Sequence, residues 1–164
     1  MTPIVFEVVG RPPQLGNARL HYMARYRLCR EYADRTWAAA IVARGGLPQA
    51  TEKRKVDATV YLCGVPRDYD GLVIGLKPGL DALGTPLSSQ WHGPKAGLIV
   101  DDSPDWCELS VSQHRVASRA EQKVVWEVTA GWLVDDSPQW MTLRAHQERV
   151  KTRIEQRIQI EVEE

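Results

Sequence analysis

Apolar and polar residues alternate in four segments of the chain, and alternation of this kind predicts strands with one buried face. The segments are residues 3–9, 56–63, 107–116 and 122–128. Residues 22–44 instead carry apolar positions at helical spacing, which predicts a long helix that ends at a Gly-Gly pair. The order of these segments is typical of a small domain that mixes helix and strand.

A second, shorter helix is predicted near residues 72–83. Glycines at 71, 75 and 79 and a proline at 78 make it a poor helix in isolation. This tolerance of glycine suggests that the helix backbone lies close to another part of the protein, although tight packing on the sheet explains it equally well. The predicted fold is therefore α+β, a small mixed or antiparallel sheet with two helices packed on it.

The last part of the chain is an internal duplication. Residues 131–164 align with residues 97–130, and 16 of the 34 aligned positions are identical. Both copies contain Asp-Asp-Ser-Pro-x-Trp, at 101–106 and 135–140. Each copy predicts a β-hairpin preceded by a turn that contains carboxylates. We expect a domain at residues 1–130, to which the copy at 131–164 is appended as an extra hairpin of the same compact domain.

Composition excludes several classes of protein. A chain of 164 residues that is 43% hydrophobic and 26% charged fits one compact domain and not a disordered tail. No apolar run is long enough to span a bilayer and no secretory signal is evident, so an intracellular, cytoplasmic protein without membrane contact is expected. The 21 basic and 21 acidic residues balance, so any surface for a polyanion must be a local patch.

A basic segment with interleaved aromatic residues occupies positions 11–35, and a second basic cluster follows at 53–55. Guanidinium forks match phosphate oxygens, and tyrosine rings can stack on bases. A solvated face of the long helix is an equally good explanation. The candidate DNA-binding residues are Arg11, Arg19, Arg25, Arg27, Arg30, Lys53, Arg54 and Lys55.

Two pairs of carboxylates flank the shorter helix. Asp68 and Asp70 follow the predicted strand 56–63, and Asp101 and Asp102 follow the apolar run 98–100. Two strand ends could bring these acids together at one edge of the sheet, where a divalent cation would relieve their repulsion. Oxygen ligands suit Mg²⁺ or Mn²⁺. Helix capping by Asp68 and Asp70, and a tight turn at Asp101, are the alternatives.

These motifs resemble the signature of the RusA family of crossover junction endodeoxyribonucleases, which resolve Holliday junctions. The similarity covers about residues 3–130 and includes Arg-Asp-x-Asp at 67–70, Leu-Lys-Pro-x-Leu-Asp-Ala-Leu at 76–83 and Asp-Asp at 101–102. The resemblance implies a small α+β homodimer in which Asp68, Asp70 and Asp102 bind Mg²⁺ and Lys77 supports catalysis.

The duplication leaves a choice between two Asp-Asp pairs. We favour Asp102, because the first copy follows the shorter helix in the family's order, and Asp101 and Asp136 are the second choices. The chain departs from the family's pattern at Gly71, where Asn is usual, and at Ile74, where an ungapped alignment places the lysine. The loop at 84–96 is also longer than is usual in the family.

The resemblance implies a magnesium-dependent hydrolase that acts as a structure-selective endonuclease in DNA recombination and repair. A metal ion held by carboxylates lowers the pKa of a bound water, polarises the scissile phosphate and neutralises developing charge. A two-fold homodimer would present one acidic site to each of two strands of a four-way junction. A less selective nuclease for branched DNA and a non-catalytic module that binds DNA or protein are the alternatives.

Overall fold

The computed structural model describes residues 2–15, 21–86 and 93–130, all within one compact unit that ends at Ala130. These ranges contain the strands and helices β1 (Ile4–Val9), α1 (Tyr22–Arg44), β2 (Arg54–Cys63), α2 (Tyr69–Leu83), β3 (Cys107–Val116) and β4 (Lys123–Ala130), with a 3₁₀ turn at Arg119–Glu121. The predicted α+β fold is confirmed. The second copy of the duplication, with its predicted hairpin, lies outside the described residues.

The strands form one mixed sheet in the order β1-β4-β2-β3. β4 is antiparallel to β1 and to β2, whereas β2 and β3 are parallel. The hairpin predicted for the first copy is therefore wrong, because β3 and β4 lie on opposite sides of β2. The reason is topological: α2 carries the chain back across the sheet, so β3 must join β2 in parallel, and β4 then returns on the other side.

One face of the sheet forms the core and the other remains partly exposed. Alternate residues of β1, β2 and β4 are buried and belong to the hydrophobic core: Ile4, Phe6, Val8, Val56, Ala58, Val60, Leu62, Val124, Trp126 and Val128. The outer face carries polar pairs, among them Lys123 with Glu7 at 2.7 Å and Ser112 with Thr59 at 3.2 Å. The strand alternation expected from the sequence thus separates the core from solvent.

The backbone of α2 lies very close to its neighbours. A Cβ atom at Gly79 would be 2.8 Å from Tyr32 of α1 and 3.2 Å from Trp126 of β4. A Cβ atom at Gly75 would be 2.5 Å from the carbonyl oxygen of Pro13. The close approach that the glycines suggested is therefore present, both to α1 and the sheet and to the loop after β1.

The apolar run 98–100 is buried but is not a strand, so this part of the sequence interpretation is wrong. The segment wraps the C-terminus of α2, where the Leu98 amide donates to the Leu83 carbonyl and the Ala96 amide donates to the Ala82 carbonyl, both at 2.8 Å. The last carbonyls of a helix have no partner within the helix and need one elsewhere. The apolar run therefore satisfies a helix end while it extends the core.

α1 has the predicted bounds and buries only its second half. Its buried residues are Tyr32, Ala33, Thr36 and Ala40, while positions 21–28 are all exposed. Neither helix of the described ranges has both the length and the apolar composition needed to cross a membrane. The first two turns of α1 are thus free of the core and available at the surface.

Candidate functional site

Asp68 and Asp70 lie at the N-terminus of α2. Asp68 immediately precedes the helix, Asp70 lies in its first turn, and both side chains are exposed. The Asp68 carboxylate makes no capping hydrogen bond, so the capping alternative does not describe its side chain. The positive end of the helix dipole stabilises negative charge at this position. The two carboxylates are therefore presented to solvent, where a ligand can reach them.

The residue before Asp68 is held from two sides. Gln113 of β3 pairs with both backbone groups of Arg67: its Nε2 donates to the Arg67 carbonyl at 2.7 Å, and its Oε1 accepts from the Arg67 amide at 3.1 Å. The Arg67 guanidinium donates to the carbonyl of Pro12 at 3.2 Å. Sequence reasoning missed Gln113, and the only signal for it was its identity with Gln147 in the duplication.

Two of the predicted site residues are in contact: Lys77 of α2 and Asp102. The Lys77 ammonium group forms an ion pair with Asp102 and a second one, at 3.1 Å, with Asp81. The lysine side chain is half exposed, whereas the two carboxylates are about four-fifths buried, at 19% and 21% exposure. Sequence reasoning missed Asp81, although the i, i+4 spacing from Lys77 is the spacing of helical ion pairs. This arrangement orients the Lys77 side chain.

Asp101 lies next to this ion pair in a partly buried position. Burial raises the pKa of Asp101, against the opposing effects of a hydrogen bond with Ser103 and the charge of Lys77. Lys95, also missed from the sequence, donates to the backbone carbonyl of Asp81 at 2.6 Å. Two lysines and three aspartates therefore share this side of α2.

The two carboxylate pairs do not meet at one edge of the sheet. Asp68 and Asp70 follow the end of β2, whereas Asp101 and Asp102 precede β3, whose first residue pairs with Arg54 at the start of β2. Because β2 and β3 are parallel, acids that follow β2 and acids that precede β3 lie at opposite ends of this strand pair. The prediction that the two carboxylate pairs meet is therefore wrong. Along α2, seven residues from 70 to 77 rise by about 10 Å.

No group of three or more His, Cys, Asp or Glu residues in the described ranges is arranged to hold a metal ion. Metal binding by Asp68, Asp70 and Asp102 together stays a prediction. Asp136 lies outside the described residues.

The first turns of α1 carry the exposed part of the basic segment. Arg25, Arg27 and Arg30 are all exposed, and Arg30 pairs with Asp34 of the next turn at 3.2 Å. The side chains of Tyr22 and Tyr26 are 73% and 44% exposed, which is unusual for rings on a helix that packs on a core. Cations and aromatic rings therefore share one solvent-facing stretch. Arg19 lies outside the described residues.

The basic cluster at 53–55 divides between surface and interior. Arg54 occupies the first inward position of β2, is 5% exposed, and has its pKa lowered by burial. Lys55 pairs with Asp57 at 3.2 Å, and Lys53 donates to the Pro104 carbonyl at 2.7 Å. The structure thus places Arg54 inside the protein and gives both lysines partners within the fold, because strand alternation turns neighbouring residues to opposite faces.

Comparison with models of known protein families gives no match for this chain, and comparison with curated protein sequences gives no match either.

Proposed function

We propose that this protein is a magnesium-dependent, structure-selective endodeoxyribonuclease that resolves Holliday junctions as a cytoplasmic homodimer. The observation that carries the proposal is the pair of solvent-facing carboxylates, Asp68 and Asp70, at the start of the helix that also carries Lys77. The order of these residues and Asp102 along the chain resembles the RusA family.

The residues present fit a magnesium ion in their chemistry. Mg²⁺ commonly takes one or two carboxylates and completes its shell with waters and substrate phosphates. Asp68 and Asp70 supply such oxygens, whereas Asp102, the third ligand that the family resemblance implies, lies beside Lys77 at the other end of this face. When bound, the ion supplies Lewis acidity and a water of lowered pKa for in-line attack on the phosphodiester.

Lys77, to which the family resemblance assigns a supporting role in catalysis, supplies a positive charge on the same helix. Its ammonium group forms ion pairs with Asp81 and Asp102, which hold it in place. Lys77 and Asp70 are seven residues apart, two helical turns, and therefore share one face of α2. A DNA strand along this face would meet the carboxylates at one end and, about 10 Å further along the helix, the ammonium, which can offset the charge of a backbone phosphate.

The exposed turns of α1 support DNA as the substrate. Arg25 and Arg27 can neutralise backbone phosphates, and Tyr22 and Tyr26 can stack on unpaired bases at a branch point. A homodimer with two-fold symmetry matches the symmetry of a four-way junction. The same surface also favours the second candidate, a DNA-binding module without catalysis, because it requires none of the acids.

A cleavage assay with a synthetic four-way junction tests the proposal, with linear duplex DNA of the same sequence as substrate control. We expect junction cleavage only with Mg²⁺ or Mn²⁺. Asp70→Asn and Asp102→Asn should abolish it and leave junction binding in EDTA intact. Asp57→Asn, the same chemical change on the outer sheet face, is the matched control and should remain active.

Three outcomes would change the assignment. Wild-type protein that binds junctions but never cleaves them is the non-catalytic module. Equal cleavage of linear duplex would replace junction resolution with a less selective nuclease activity. An inactive Asp136→Asn together with an active Asp102→Asn would transfer the metal site to the second copy of the duplication.

A further inference from the structure

A cleft of about 440 Å³ lies between the loop after β1 and the middle of α1. Its volume is within the range of roughly 300–1,000 Å³ found for ligand pockets. Arg11 of the loop and Arg35 of the helix supply its cations, Pro12 and Leu28 supply apolar wall, and Glu31 is its acidic lining residue. Arg35 closes the basic segment at positions 11–35, although it is not among the candidate DNA-binding residues.

The walls of the cleft are fixed by the fold. Pro12 and Pro13 are buried, and their carbonyls accept hydrogen bonds from the Arg67 guanidinium at 3.2 and 3.4 Å. Arg35 donates one N–H to the carbonyl of Val9 at 2.8 Å, which orients the guanidinium. A guanidinium has five N–H donors, so it can donate to a ligand as well. A ligand would therefore meet a preformed site and would not have to order it.

Positive charge exceeds negative charge at this cleft, because Arg11 and Arg35 line it with one carboxylate, Glu31. Within residues 2–15, 21–86 and 93–130, none of Arg11, Arg35 and Arg67 forms an ion pair. Burial lowers the pKa of Arg67, and the charge of Arg11 lowers it further. Two guanidinium groups that line one cleft with a single carboxylate favour an anion between them.

We propose that this cleft binds a backbone phosphate of the DNA strand that leads to the acidic end of α2. The phosphate is held by Arg11 and Arg35, and the adjoining deoxyribose packs on the apolar wall. Arg67 contacts the same loop and is followed directly by Asp68, so a strand that leaves the cleft reaches the carboxylates within a short distance. The identity of the ligand as DNA rests on the proposed function, whereas the anion site rests on the cleft itself.

Arg11→Gln is the test variant, because Arg11 is exposed and holds no other described element in place. Binding of a four-way junction is measured in EDTA over a series of salt concentrations. We expect affinity at low salt to fall about tenfold, as for one lost charge-assisted contact. The slope of log K against log salt should shrink by about 0.9. Arg11→Lys should keep the slope, since it keeps the charge.

Lys123→Gln is the matched control, because it removes one positive charge from the outer face of the sheet. Its affinity and salt slope should equal those of the wild type. Circular dichroism establishes that each variant is folded. An Arg11→Gln variant that binds junctions with wild-type affinity and slope overturns the proposal, and so does a Lys123→Gln variant with an equal loss.

Two further arms identify the source of the phosphate and separate this site from catalysis. Inorganic phosphate and a deoxynucleoside monophosphate are added as competitors. If Arg11→Gln alters their competition and leaves junction affinity unchanged, the cleft takes free phosphate and the backbone assignment is overturned. If the wild type never cleaves junctions but Arg11→Gln still loses affinity, the nuclease function fails and the phosphate site stands.

Discussion

Gly79→Ala tests the contact on which the position of α2 depends. The added Cβ would lie 2.8 Å from Tyr32 Cε1, 3.0 Å from Thr36 Oγ1 and 3.2 Å from Trp126 Cζ2. Favourable contacts between carbon atoms lie at about 3.5–4.0 Å. All three neighbours are 0% exposed, so none can turn away into solvent. The methyl group can be accommodated only if α2 moves away from α1 and the sheet.

The expected loss follows from two opposing effects. Alanine in place of glycine inside a helix stabilises by about 1 kcal/mol. Overpacking of a filled core destabilises by about 1–3 kcal/mol, and three short contacts with buried neighbours put this position at the upper end. The net result is a free energy of unfolding lowered by about 2 kcal/mol. For a chain of this length that corresponds to a melting temperature about 4–8 °C lower.

Urea unfolding followed by circular dichroism measures this difference. Gly46→Ala is the control, because a Cβ atom there meets nothing within 4 Å. We expect Gly46→Ala to be neutral or slightly stabilising. A Gly79→Ala variant as stable as the wild type would refute the close contact between α2, α1 and β4.

Three further predictions concern the surroundings of the acids and the core. Gln113→Leu removes both hydrogen bonds to the Arg67 backbone and should lower stability by about 1–3 kcal/mol; an unchanged urea midpoint would contradict it. Burial raises the pKa of Asp101 in the folded protein above its value in the unfolded chain. The protonated carboxyl therefore stabilises the fold below the unfolded pKa, and this stabilisation is lost as pH rises through the folded pKa. Asp101→Asn should therefore raise the melting temperature at neutral pH and leave it nearly unchanged near pH 3, and a lower value at neutral pH would argue against this. Burial also raises the pKa of Cys107 to about 11, so its thiol should resist alkylation at neutral pH in native protein, and equal rates in native protein and in urea would disprove it.

Periodicity predicted the elements well because most of them obey one period throughout. The bounds of α1 and β3 agree with the prediction, and both helices and all four strands were expected. α2 begins at Tyr69, three residues earlier than predicted, because its first turn is polar and exposed and so lies outside the apolar pattern. The run 98–100 was misassigned because the segment that covers the C-terminus of α2 is buried. A buried segment of this kind is as apolar as a buried strand.

Strand order and site geometry depend on information that periodicity does not contain. The placement of β3 and β4 on either side of β2 follows from the crossover through α2. That crossover also sets Asp68 and Asp102 at opposite ends of the β2–β3 pair. The pairing of Lys77 with Asp81 could be predicted from helical spacing alone, but its pairing with Asp102 depends on how the chain returns from the C-terminus of α2.

The two ends of the duplicated segment lie at the same end of the sheet. At its start, the Ala50 amide donates to the Gly97 carbonyl at 2.9 Å, just before β2, and at its end Ala130 pairs with Arg54, the first residue of β2. The chain therefore begins and ends residues 97–130 at the same place, near the start of β2. Chain termini that lie close together make a site tolerant of inserted residues. The gene segment that encodes residues 97–130 can be copied in tandem, and each strand of the original sheet can keep its partner and its register. The sixteen identities between residues 97–130 and 131–164 indicate a tandem duplication, and this topology permits one.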